Sequence, residues 1–237
     1  MLVLLLAIAV ATASTWAVKL TLVGRSVSRA ADFWATPQGD SGGLLYVALG
    51  DSVAQSVGAS RPERGYVALI AQRLRKETGQ PVEVVNLSRS GAVIADVLDR
   101  QIPALLALGR SPDLVTVAIG GNDVRAYDAA DFAAEVRQMM LGLPAGTFVA
   151  DAPYFMHGRW EANAEQAARA LTDGARTQGL HAVPLHEALR AEGWKAMLTQ
   201  FAADWFHPND RGHRVWADAF WTAIEPTLAP DGSVVQP

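Results

Sequence analysis

Ser52 closes the triplet Gly50-Asp51-Ser52, which follows the apolar run Leu44-Leu45-Tyr46-Val47-Ala48-Leu49. A strand that stops at such a triplet presents a hydroxyl at the carboxyl edge of a sheet, where open α/β folds bind their ligands. A hydroxyl is a weak nucleophile at neutral pH unless a base takes its proton. The chain offers a base far downstream, in Asp204-Trp205-Phe206-His207-Pro208. An aspartate three residues before a histidine can orient the imidazole through one ring nitrogen while the other faces a serine, as in Ser-His-Asp hydrolysis. Acyl transfer also needs N–H donors aimed at the developing oxyanion. Asn122, in Gly120-Gly121-Asn122-Asp123, follows the apolar run 114–119 and so projects from the same edge as Ser52. Gly91, in Asn86-Leu87-Ser88-Arg89-Ser90-Gly91-Ala92, follows a second run and offers a bare backbone N–H.

Each of these residues has a plainer reading. Ser52 is a favoured type for capping a following helix. Asp204 can cap a turn with His207 an ordinary loop histidine, and Gly91 and Asn122 are both common in turns. What favours chemistry is that three segments fall just after expected strands and the fourth in the final loop. Asp204, His207, Asp210 and His213 recur every three residues, a spacing that suggests a metal site. Pro208 argues against one continuous helix through them, because the residue before proline avoids the helical region. No metal or other cofactor is expected. The chain lacks a Gly-x-Ser-x-Gly elbow, and His186-Glu187 has no second zincin histidine. His157, His181 and His213 are expected at the surface or its boundary. The tryptophans are expected in the core or a pocket wall, with Trp205 beside the histidine segment.

The elements that must position these groups alternate along the chain. Short apolar runs bounded by Gly, Pro or Asp predict strands over 44–49, 82–86, 114–119, 147–150 and 180–183. Between and after them, helical patterns cover 65–78, 94–108, 131–141, 161–178 and 210–224, with Pro103 interrupting the second. Strand–helix alternation predicts a parallel sheet of five strands with crossover helices.

At 237 residues the chain suits one sizeable domain, and its net charge of −4 gives no electrostatic reason to expect nucleic acid. Cysteine is absent, so thiolate chemistry and disulfides are both excluded. Residues 1–18 carry no charged side chain. Extended through residue 23, they approach the length of a membrane-spanning helix. Ala11-Thr12-Ala13 also fits a signal-peptide cleavage site. Residues 1–24 are therefore read as a membrane anchor or signal peptide, 25–43 as a linker, 44–228 as the catalytic domain and 229–237 as a tail. Lys19, Arg25 and Arg29 follow the apolar stretch, which by the positive-inside rule would leave the domain cytoplasmic. An extracytoplasmic protein, membrane-anchored or secreted, is nevertheless the expectation.

Gly50-Asp51-Ser52, Gly91, Gly120-Gly121-Asn122-Asp123 and Asp204-x-x-His207-Pro208 together resemble the four sequence blocks of the SGNH hydrolases, also called the GDSL esterase/lipase family. They stand in family order and span almost the whole globular part. The stretch from Phe206 to His213 is similar to that of bacterial, notably actinobacterial, members. The resemblance implies a three-layer α/β/α sandwich of flavodoxin type. It implies Ser52 as nucleophile, His207 as general base and acid, and Asp204 as its orienter. The implied oxyanion hole is the Ser52 and Gly91 amides plus the Asn122 side chain. The function expected is hydrolysis of a small or lipid-like acyl ester through an acyl-enzyme. An acyltransferase or carbohydrate deacetylase would use the same machinery, and a membrane-tethered binding protein could keep the fold without turnover.

Overall fold

Along β2 (Leu44–Gly50), Leu44, Tyr46 and Ala48 pack into one apolar cluster and Leu45, Val47 and Leu49 into another. Successive side chains of a strand point to opposite faces, and all seven residues of β2 are buried. A strand covered on both sides belongs to a parallel sheet held between two helical layers. At roughly 1.5–3 kcal/mol for each large apolar side chain removed from water, β2 is a principal anchor of the fold.

The computed structural model describes residues 21, 23–156 and 158–229. Its sheet contains β1 (Gln38–Gly39), β2, β3 (Val82–Asn86), β4 (Leu114–Ala118), β5 (Phe148–Ala150) and β6 (His181–Val183), in the order β1-β3-β2-β4-β5-β6. The pairings from β3 to β6 are parallel. Those five strands have the flavodoxin-type order. Residues of α2 (Tyr66–Thr78), α7 (Leu185–Ala191) and α9 (Asp210–Ile224) pack on one face. The other face is covered from α3 (Ile94–Asp96), α4 (Ile102–Leu106), α5 (Ala129–Gly142) and α6 (Gly158–Thr177). A shorter helix, α8 (Lys195–Thr199), precedes the loop that carries Asp204 and His207. β2 lies between β3 and β4, so the chain crosses over it where the strand order reverses. The crevice outside such a switch point is where this architecture binds ligands.

Three features differ from the sequence reading. The sheet has six strands rather than five, because Gln38–Gly39 pairs antiparallel with β3. Two residues are too few to show a hydrophobic period. The stretch 25–43 is not simply a linker, since the chain is helical over 23–34 (α1). Trp34 is buried in the cluster and its Nε1 donates to Ser56 Oγ at 3.4 Å. The helix expected over 94–108 is broken by a π-turn, Val97–Gln101, between α3 and α4. The turn ends where Pro103, which has no N–H to donate, takes a first-turn position in α4. The apolar segment 1–18 and residues 230–237 of the expected tail lie outside the described residues. Among the described residues no helix is long and apolar enough to cross a membrane.

Candidate active site

β2 ends at Gly50, whose φ of +146° is open to glycine and strained for other residues. A Cβ there would lie 2.3 Å from the Ala118 carbonyl oxygen of β4. The bare backbone lets the strand turn sharply, and residues 51–60 follow as turns rather than the α-helix that a capping serine would start. Gln101, 1% exposed, pairs with both polar groups of Gly50: Oε1 accepts from the Gly50 N–H at 2.8 Å and Nε2 donates to its carbonyl at 2.9 Å.

Ser52 stands at this corner with its Oγ 2.9 Å from His207 Nε2. His207 Nδ1 lies 2.6 Å from Asp204 Oδ2. The second oxygen, Asp204 Oδ1, accepts from the backbone N–H groups of Phe206 and His207 at 3.1 and 3.0 Å. Burial alone would raise the Asp204 pKa. The His207 bond and the two backbone donors outweigh that and hold the carboxyl below its ordinary value. An ionised Asp204 accepts from Nδ1–H, which leaves Nε2 free to accept the serine proton.

The loop that brings Asp204 and His207 together is closed at its base. Ala202 N–H donates to the His207 carbonyl and Asn209 N–H to that of Gln200, both at 2.8 Å. Asn209 caps α9 by accepting from Arg211 and Gly212 N–H, and its Nδ2 donates back to the Thr199 and Phe201 carbonyls. Trp205, between the two catalytic candidates, adopts φ +56°. That left-handed residue reverses the chain within four residues, a strained geometry of the kind found at functional sites. Gly58, at φ +92°, lets the serine turn approach this loop. A Cβ there would meet the Pro208 carbonyl oxygen at 2.3 Å.

Asn122 follows β4 and immediately precedes a short 3₁₀ turn, Asp123–Ala126. Its Nδ2 donates to the Ala92 carbonyl at 2.9 Å, which ties it to the loop bearing Gly91. Gly91 is exposed with open space where a Cβ would be. Among the described residues, neither the Gly91 nor the Ser52 backbone N–H donates to a protein acceptor. The structure thus brings Ser52, Asp204 and His207 into one hydrogen-bonded chain and ties Asn122 to the Gly91 loop.

Sequence reasoning missed the groups that hold this loop. Gln55 Oε1 accepts from Ser90 N–H and Oγ at 2.9 and 2.7 Å, and its Nε2 donates to the Ser88 carbonyl at 2.9 Å. Asn86 Nδ2 donates to the Ala54 carbonyl at 2.8 Å, and its Oδ1 accepts from Ser88. Both side chains therefore bind the Gly91 loop to the serine turn. His213 is another difference. It was expected near the surface but is fully buried. Its Nε2 donates to the Val57 carbonyl at 3.1 Å, and its Nδ1 accepts from Tyr66 N–H at 3.4 Å. Burial lowers its pKa to about 4, so it is neutral at pH 7. Asp210 accepts from Ser60 and pairs with Arg64 at 2.8 Å. The four residues spaced like metal ligands thus hold different partners. His181 stacks on Phe148, and His157 lies outside the described residues.

Asp51, next to the serine, is buried, and loss of hydration raises its pKa to about 6 despite a bond from Val53 N–H. A raised carboxyl pKa contributes stability that is fully present below the unfolded value and is lost as pH rises through the folded one. For Asp51 that window runs from 3.8 to about 6. Asp51→Asn removes the titration. Whatever its offset at pH 4, the variant's melting temperature should therefore rise relative to wild type by several degrees between pH 4 and 8. Parallel melting curves across that range would contradict the assignment.

A pocket of about 190 Å³ opens beside Ser52 and is lined mainly by apolar groups, among them Pro153, Phe155, Met197, Phe201, Phe206 and Trp216. Trp205, half exposed, and Met197, 40% exposed, stand at its rim.

Residues 48–215 match the model of the GDSL-like lipase/acylhydrolase family. A GDSL-like esterase of Mycobacterium tuberculosis is 27% identical over 194 residues, 76% of this chain and 61% of that protein. The chain thus spans less than two thirds of that curated relative. The spore germination lipase LipC of Bacillus licheniformis is 28% identical over 82 residues, 34% of this chain and 39% of that protein. Among solved structures, TesA superposes with a TM-score of 0.63 at 28% identity, covering 77% of this chain and 98% of its own. A catalytic mutant of Axe2, an acetylxylan esterase from Geobacillus stearothermophilus, gives 0.64 at 24% identity over 78% and 96%, a likeness of fold. With the match spanning the serine turn, the Asn122 corner and the histidine loop, the chain belongs to the GDSL-like lipase/acylhydrolase family, the SGNH group.

Proposed function

We propose that this protein is a serine esterase acting on small, partly apolar acyl esters through Ser52, His207 and Asp204. The observation that carries the reading is the unbroken chain Asp204–His207–Ser52, with links of 2.6 and 2.9 Å. In the first half-reaction His207 Nε2 takes the Oγ proton as Oγ bonds to the acyl carbon. The carbonyl oxygen becomes an oxyanion, received by the Ser52 and Gly91 N–H groups and the Asn122 amide. Collapse breaks the ester C–O bond, and His207 hands its proton to the departing alcohol oxygen. Water then repeats the sequence on the acyl-enzyme, giving its proton to His207 and releasing the acid. The anionic Asp204 holds the resting imidazole in the tautomer that accepts at Nε2 and stabilises the imidazolium that forms once it has accepted.

The pocket supports a lipid-like acyl group of limited length. Its volume of about 190 Å³ is below the ~300–1,000 Å³ typical of drug-sized ligands. Its apolar lining favours hydrocarbon over sugar. With p-nitrophenyl esters of graded length, kcat/KM should peak at short to medium chains and fall for palmitate. A steady rise through palmitate would overturn the size argument, and no turnover of any ester would overturn the function.

A further inference from the structure

Arg125 stands one 3₁₀ turn beyond Asn122, its N–H donating to the Asn122 carbonyl at 3.4 Å. Its guanidinium carbon lies 4.7 Å from the centre of the Phe206 ring and 5.6 Å from that of Trp160. Phe155 packs against both of those rings, so two aromatic side chains hold the cation and a third braces them. Phe206 meets the His207 ring edge-on, with centres 5.0 Å apart. Phe155 and Phe206 also line the pocket beside Ser52.

Stacking of this kind occupies the faces of a guanidinium and fixes its plane, while the N–H groups around its edge stay available. Among the described residues no carboxylate lies within 4 Å of Arg125. The residue is exposed. A cation held in place by rings, unpaired, and one aromatic plate away from the general base is arranged to receive an anion from outside the protein. An arginine fork suits a planar oxyanion.

We propose that Arg125 forms an anion subsite at the mouth of the Ser52 site and selects esters whose alcohol portion carries a carboxylate. The side of the ester follows from the proton path. His207 Nε2 must reach the leaving oxygen, and Phe206, packed on His207, is the plate on which Arg125 rests. The alcohol portion is therefore the part that passes Arg125. With a net charge of −4 on the chain, this cation acts through contact rather than through a long-range field.

The proposal rests on ester hydrolysis at Ser52, and its test separates the two. Two substrates are compared: 4-butyryloxybenzoate, with a carboxylate on the alcohol side, and the neutral 4-butyryloxybenzamide. The ratio of their kcat/KM values is measured for wild type, Arg125→Gln and Arg125→Glu. Comparing ratios across variants cancels the difference in intrinsic reactivity. The ratio should fall about tenfold in Arg125→Gln and further in Arg125→Glu, and salt should lower it in wild type, as screening of a charged contact requires. An unchanged ratio, with both esters losing rate together, would mean that Arg125 merely props Phe206, and the subsite would be overturned while the esterase stood. Turnover of neither ester by wild type would overturn the esterase reading and the subsite with it.

Discussion

Ser52→Ala should lower kcat/KM for a p-nitrophenyl ester by about 10⁴–10⁶-fold, the range lost when a triad nucleophile is removed. The melting temperature should barely move. The variant gives up one hydroxyl bond to His207, worth about 1 kcal/mol net. The surrounding turn is held independently by Gln101, Gln55 and Asn86. Stability and activity therefore separate at this residue. A fluorophosphonate probe adds a second readout, since it bonds covalently to an activated serine. Wild type should label, and the variant should not. Labelling that persists in Ser52→Ala would place the nucleophile elsewhere.

Asn122→Ala should lower kcat by roughly 10²–10³ with little change in KM. An oxyanion donor acts on charge that exists only in the transition state, so its loss falls on the chemical step. One Asn122 N–H already holds the Ala92 carbonyl at 2.9 Å. The variant thus loses both the donor and a tie to the Gly91 loop, which places the expected loss toward the upper end. Asn122→Asp tests the sign of the effect. It keeps the size but sets a carboxylate where negative charge must develop, and kcat should fall at least as far. A rise in KM at constant kcat would mean that Asn122 binds the ground state.

The candidate site residues were legible because each sits at a punctuation mark in the chain. Ser52 and Asn122 follow runs of apolar residues that a buried parallel strand requires, and β2 and β4 end beside them. α9 begins and ends as the pattern after Pro208 indicates, because Asn209 supplies its cap. The supports were harder to read because their partners are distant in sequence. Gln101 lies 51 residues from Gly50 and Gln55 lies 35 from Ser90. A trace of Gln101 was present, since it falls on the apolar stripe of Ile94, Val97 and Leu105, where a lone amide needs a buried partner. His213 left a weaker trace, being a polar residue on the face of α9 that carries Trp216 and Phe220. Trp34 shows a different limit. Its helix lies beyond the alternating pattern and is held by packing, which local composition does not register.

The π-turn and the amide it delivers have a mechanical meaning. Two packed layers of a protein ordinarily slide over one another by small amounts, because side-chain contacts between them have no fixed direction. Hydrogen bonds do have direction, and Gln101 joins its helical layer to Gly50 by two of them, one accepting and one donating. At that point sliding would stretch both bonds together in a place that water does not reach. The seam between sheet and helix is therefore pinned one residue before Asp51 and two before the serine, while the rest of that face packs mainly through apolar side chains. A serine whose proposed work tolerates little error in where its oxygen sits thus has a joint of fixed direction two residues away.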